Sequence, residues 1–232
     1  MSTTSTSAAP LHLALALGGT TPASSASWAH LVREAEAGLL DLVTVDGGSA
    51  REELGDVLAA TRLAAATRSI GLVPTVHAGR SEPSRIARAV EALDTASGGR
   101  AGVQLKVPVP ADEQGWVQAV RRSWTGAPGS RRGPSPLVAL PGRGHRALPA
   151  AADLGFVTPR TTVDAQQLVA AARSTGAPRH LLGDLVVVLD DDADLARERS
   201  RRTATTPSTA PEGTRVFAGT PAQLADLAQG WR

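Results

Sequence analysis

Five polar side chains stand at or near the ends of three successive apolar runs. Asp46 closes "DLVTVD", Thr75 and His77 close "IGLVPTVH", and Gln104 and Lys106 close "AGVQLK". A carboxylate, a hydroxyl, an imidazole, an amide and an amine together supply both signs of charge and both directions of proton transfer. His77 titrates in the range a proton carrier needs near neutral pH. Lys106 is the only lysine of the chain, and a lysine desolvated inside a fold can attack a carbonyl carbon. Each residue also has a plainer use: Asp46 as a turn residue before Gly47-Gly48, His77 as a loop histidine, Lys106 as a snorkelling rim charge. What joins them is parity. Counting in twos along a strand, Val43 and Val45 oppose Thr44 and Asp46. Leu72 and Val76 oppose Val73, Thr75 and His77, and Val103, Leu105 and Val107 oppose Gln104 and Lys106. If the apolar parity faces a layer of helices, the polar parity converges on one rim.

A second constellation is "PGRGHR", Pro141 to Arg146, between a strand and a helix. Gly142 and Gly144 can expose backbone N–H groups, and Arg143 and His145 add positive charge, which suits a phosphate at a helix start. An ordinary Gly/Pro turn reads the same way. The stretch lacks the Gly-Lys-Ser/Thr ending of a Walker loop. "LDDDAD" spaces Asp190, Asp192 and Asp194 as a calcium loop would, but Leu195 stands where such a loop needs glycine and Arg201 where it needs glutamate. Those aspartates are expected to cap the next helix. There is no HExxH, no GxSxG and no GxGxxG after a strand.

The elements that must position these residues alternate along the chain. Strands are expected at Leu11 to Leu17, Asp41 to Asp46, Ile70 to Val76, Ala101 to Val107, "PLVAL", "GFVTP", "HLLGDLVVVL" and "RVFAG". Between them, helical spacing puts Trp28, Leu31, Val32 and Ala35 on one face, then Leu54, Val57, Leu58, Thr61 and Ala65, then Ile86, Val90 and Leu93. Ser81 is placed to cap the third helix with Pro83 in its first turn, and Gly98-Gly99 to end it. Strand–helix alternation implies a parallel sheet with right-handed crossovers. The predicted fold class is α/β, a (β/α)8 TIM barrel, lean for its type and incomplete at the last strand if "RVFAG" does not close it. Met1 to Pro10 reads as a disordered tail, and 11–232 as a single domain.

Composition narrows the function classes. With 24 basic and 22 acidic residues the net charge is +2, and no arginine stripe interleaves with aromatics, which argues against nucleic acid. The absence of cysteine removes disulfides, thiolate catalysis and cysteine metal sites. No apolar run nears the ~20 residues of a membrane helix, and "LHLALAL" is too short for a signal core. A cytoplasmic protein without a membrane partner or a metal is expected.

At "SEPSRIARAVEALDTASGGRAGVQL" the sequence resembles the luciferase-like flavin-dependent monooxygenases, in the branch of nitrilotriacetate and dibenzothiophene-sulfone monooxygenases. "AEAGLLDLVTVDGG", "AAATRSIGLVPTV", "PLVALPGRGHRALPAAADLGFVTP" and "AGTPAQLADLAQGW" are similar to further segments of that branch. The resemblance implies a TIM barrel binding FMN, or in some branches the deazaflavin F420, at the strand C-termini. It implies oxidation of a small organic substrate with reduced flavin and oxygen, a flavin reductase as supplier, and a homodimer. It places Asp46 on the flavin side, and His77 and Ala78 at a corner where a non-proline cis peptide is common. Gln104 replaces an asparagine, and Gly142, Arg143, Gly144 and His145 overlie the phosphate loop. Thr75, His77 and Lys106 join the flavin-binding set, with His77 the candidate acid–base. The family's Thr-Ser after the fourth strand is Val107-Pro108 here, and its "LEP" turn is Leu54-Gly55-Asp56. The segment after the fourth strand is short, and the family has one more strand after the last helix. These departures imply weak flavin binding, or a non-catalytic relative acting as partner or scaffold.

Overall fold

The computed structural model describes residues 12–18, 25–47, 53–125, 135–142, 149–174, 176, 180–203 and 214–230. β1 (Ala14–Gly18), α1 (Ser25–Ala37), β2 (Leu42–Asp46), α2 (Gly55–Ala64), β3 (Gly71–His77), α3 (Pro83–Ser97) and β4 (Gly102–Lys106) follow in strict alternation. A 3₁₀ turn at Pro110–Asp112 leads into α4 (Glu113–Thr125), then β5 (Leu137–Pro141), β6 (Leu154–Val157), α5 (Thr162–Ser174) and β7 (His180–Gly183). β8 (Leu185–Leu189), α6 (Ala193–Thr203), β9 (Arg215–Gly219) and α7 (Pro221–Gln229) complete the order.

Seven strands form one parallel sheet in sequence order, β1 to β7, and β8 pairs with β9. The stretch "HLLGDLVVVL", expected as one strand, changes partner at Asp184: β7 pairs β6, the Asp184 amide still donates to Val157, and from Leu185 the chain pairs β9. "RVFAG" is therefore a strand, as expected, but its partner is β8. The seven strands make a curled, parallel half-barrel, and among the described residues no pairing joins β9 to β1. The curl is visible at the strand starts, where the rings of His12, before β1, and His180, opening β7, lie 5.5 Å apart.

The core lies between the sheet and α1 to α4. Val43, Val45, Leu72, Val76, Val103, Leu105, Val138 and Leu140 meet Val32, Val57, Ile86, Val90, Leu93, Val117 and Val120. The expected faces of α1 and α2 need correction. Leu31 and Leu58 are half exposed, at 47% and 50%, while Ala60, Leu63 and Ala64 are buried; the buried stripe of α2 is turned from the expected one, because docking on the sheet sets which side of the helix faces inward. Ser81 does not cap α3 either. Glu82 occupies the cap position, and the Ser81 hydroxyl donates to Glu53.

Two latches bind the strand starts. Glu36 Oε1 accepts from the amides of Arg68, Ser69 and Ile70 and from the Ser69 hydroxyl, which lowers its pKa to about 2. Arg100 donates to carbonyls of Ala64, Thr67, Ile70 and Ser97 and to the Thr67 hydroxyl. Asp94 Oδ1 accepts from Ala101, and Gly98 (φ 71°) and Gly99 (φ 92°) make the left-handed turn that brings Arg100 there.

Candidate functional site

Pleating carries the polar parity of β2, β3 and β4 to the face away from the helices. Thr75 sits opposite Gln104, and His77 opposite Lys106. The hydroxyl of Thr75, a residue 3% exposed, donates to Gln104 Oε1 at 2.9 Å, which fixes the amide plane. Lys106 Nζ reaches back over β3 and donates to Asp46 Oδ2 at 2.5 Å. That pair is about one-third exposed on both sides, so neither charge is stranded. Asp46, Thr75, His77, Gln104 and Lys106 thus form one patch at the C-terminal ends of three adjacent strands.

The His77 ring is open to solvent at its edge. Partial burial, then the charges of Lys106 and Arg80, hold its pKa below the ordinary imidazole value, while Asp46 pulls it upward. At neutral pH it is a neutral base beside a closed ion pair. The patch has a fourth ionisable member that sequence reasoning passed over. Asp56, in the first turn of α2, accepts the Gly47 amide at 2.9 Å. Burial and the charge of Asp46 push its pKa up to about 6, against the Gly47 hydrogen bond and Lys106. An acidic residue at a helix start was the available signal, but nothing in the local pattern points that helix end at β2.

Below the patch, on the same face, Val73, Ala139, Leu154 and Phe156 pack with Leu42 and Leu182 into a small apolar cluster. The arrangement offers an apolar floor, amide and hydroxyl groups, a fixed ion pair and a neutral base.

The remaining expected residues divide. Ala78 is buried and its amide donates to Lys106 O at 3.0 Å, so it belongs to the sheet. No peptide among the described residues is cis, which corrects the expectation for the His77–Ala78 corner. Gly142 donates its amide to Phe156 O, and a Cβ there would collide with that oxygen; its amide serves the sheet. Arg143, Gly144 and His145 lie outside the described residues. A hollow between the starts of α2 and α3, lined by Glu53, Leu54, Gly55, Leu58 and Arg85, shares no residue with the patch.

The fold has known company. The structural neighbours are luciferase-like monooxygenases, and the chain shares their fold. EDTA monooxygenase from Chelativorans sp. BNC1 superposes with a TM-score of 0.72 at 14% identity, over 95% of this chain and 85% of that one. DmoA from Hyphomicrobium sulfonivorans gives 0.68 at 13% identity, over 95% and 81%. The coenzyme F420-dependent tetrahydromethanopterin reductase from Methanopyrus kandleri gives 0.66 at 14%, over 96% and 90%. No family model matches the sequence, and no curated protein matches it. No described helix is long and apolar enough to cross a membrane.

Proposed function

We propose that this chain is a luciferase-like flavin-dependent oxidoreductase, a monooxygenase acting with reduced FMN and oxygen on a small organic substrate, with F420 as the alternative cofactor. The observation that carries the reading is the Asp46–Lys106, Thr75–Gln104 and His77 patch over an apolar floor, at the strand end where barrels of this kind keep their chemistry. The neighbours support a flavin-type cofactor: one is F420-dependent by name, and a Baeyer–Villiger monooxygenase among them was solved with FMN (TM-score 0.58, 13% identity, over 83% of this chain and 71% of that one).

In this reading Val73, Ala139 and Phe156 seat the ring and keep water from one side of it. The Gln104 amide donates to a polar ring edge, and the Asp46–Lys106 pair presents a fixed dipole there. His77 accepts or returns the substrate's proton. Flavin, when bound, supplies the electron transfer and oxygen chemistry that no side chain can. Arg143 supplies the positive charge for the phosphate. Residues 11–232 act as one cytoplasmic domain, served by a separate flavin reductase and paired as a homodimer.

A second reading, a weakly binding or non-catalytic relative, is favoured by Val107 and Pro108. Val107 is buried at 1% exposure, and proline has no N–H to donate, so this turn offers little to a polar ligand. Two lost hydrogen bonds of roughly 1.5–3 kcal/mol each cost about two to four decades in affinity. We therefore expect colourless purified protein. Titration with oxidised and reduced FMN, followed by flavin fluorescence, should give weak saturable binding that Arg143→Ala weakens more for FMN than for riboflavin. No binding at high FMN would establish the non-catalytic reading, and tightly held yellow flavin would restore an ordinary monooxygenase.

A further inference from the structure

At the opposite end of the sheet two histidines, 168 positions apart in sequence, meet where the curl brings the first and seventh strands together. Their ring centroids are 5.5 Å apart with planes at 84°. His12 Nδ1 lies 3.2 Å from Asp41 Oδ1, and Asp41 is held in turn by the Leu13 amide, which donates to its Oδ2 at 2.8 Å. The carboxylate fixes the tautomer: Nδ1–H donates to Asp41, and the lone pair is left on Nε2. This is the arrangement metal-binding histidines use, with the far nitrogen tied to a carboxylate and the near one free. The His180 ring makes no hydrogen bond among the described residues, and its backbone is fixed by its amide donating to Asp153 O at 3.3 Å.

The separation suits a shared ion. With a metal–nitrogen distance of about 2 Å and tetrahedral angles, two imidazoles on one zinc have centroids about 5 Å apart. The described residues contain no group of three or more such ligands, so protein supplies two positions and water the others. Imidazole pairs select zinc, nickel or copper over magnesium and calcium, which prefer oxygen.

We propose that His12 and His180 form a two-imidazole site for a borderline divalent cation such as Zn2+, oriented by Asp41, which staples the start of β1 to the start of β7. The site is independent of the flavin reading, because it lies at the far end of the strands from Lys106. Its test is calorimetric titration of the metal-free full chain with ZnCl2 and, separately, MgCl2. Wild type should bind one Zn2+ at this site and gain in melting temperature, with no response to Mg2+. His12→Ala and His180→Ala should each weaken that binding at least tenfold and abolish the thermal shift. Asp41→Asn should weaken it about tenfold, while His30→Ala, on the exposed face of α1, should leave it unchanged. Unaltered affinity in both histidine variants, or equal weakening in His30→Ala, would overturn the site. Should either alanine variant fail to fold by circular dichroism, histidine-labelled wild type decides the matter. Zn2+ must perturb two imidazoles in mutual contact, and perturbation of one or none rules the staple out.

Discussion

Asp56 has a carboxyl whose surroundings disfavour its charge, next to the Asp46 carboxylate that pairs with Lys106. Its pKa of about 6 exceeds the ordinary 3.8, so the folded chain holds this proton more firmly than the unfolded chain. Between pH ~4 and ~6 unfolding releases the proton, and the native state loses stability as pH rises through that window. Asp184, pushed up to about 6 by burial alone, contributes in the same sense. Asp56→Asn should therefore remove about half of this slope. It should stabilise the protein at pH 8 by about 1 kcal/mol, the full shift being discounted for partial exposure, because the amide oxygen still accepts from Gly47. Urea denaturation at pH 4.5 and pH 8 checks this; an unchanged slope would mean that Asp56 is ionised throughout. Alternation on β2, β3 and β4 sufficed to place Asp46, Thr75, His77, Gln104 and Lys106 on one face, because pleating is a local rule. It could not reveal Asp56, whose relation to the patch depends on how α2 docks, nor could it tell that the Gly142 and Ala78 amides are used by neighbouring strands.

Element by element, the stretch that most resembles the luciferase-like family turns out to build the end of the fold away from the patch. "LDTASGGRAG" closes α3 with two left-handed glycines and sends Arg100 to the strand starts, where it meets four carbonyls and a hydroxyl. At that end of a parallel barrel, such a motif reads as stability rather than chemistry. Arg100→Ala should lower stability by about 2–4 kcal/mol, since several acceptors lose a charged donor together, and leave FMN affinity within twofold. Urea midpoints and the flavin titration on the same variant separate the two effects; a parallel loss of affinity in the folded variant would tie the latch to the site. Helix existence was legible from spacing, and α3 runs from the expected Pro83 to the residue before the expected Gly98-Gly99 stop. Helix rotation was not: Leu54, Val57 and Leu58 read as one stripe, yet packing buried Val57, Ala60, Leu63 and Ala64, because the side of α2 that faces inward is set by how the helix docks and not by its local spacing. Capping followed chemistry where the side chain had no rival partner. Thr220 and Gln223 make the full capping box of α7, whereas Ser81 was drawn away by Glu53.

Across the whole molecule, burial is uneven in a way that bears on how the sheet comes apart. Residues fully hidden from solvent crowd between β2 and β5 and helices α1 to α4, while from β8 onward Ala196, at 0% exposure, is the only buried apolar residue among the described ones. Val187, Leu189 and Val216 of the β8–β9 pair are 40%, 37% and 54% exposed. Strand alternation through the full length made the α/β parallel class legible, because every crossover is short and local. Closure was not legible, since it depends on whether the first and last strands meet, and no local pattern encodes that. The partner switch at Asp184 is where the two regions join, through one amide to Val157 and a carboxyl whose burial is unfavourable to its charge. Cooperative units of differing stability follow from such uneven burial. Hydrogen exchange followed by mass spectrometry should show the segment 185–230 exchanging at least tenfold faster than 71–106 at neutral pH, with the boundary near Asp184. Because Asp184 holds its proton more firmly in the folded chain, lowering the pH from 8 to 5.5 should narrow that gap after correction for intrinsic exchange. Equal protection of the two segments would show that β8 and β9 are bound into the same cooperative unit as the seven-stranded sheet, through contacts equivalent to a closed ring.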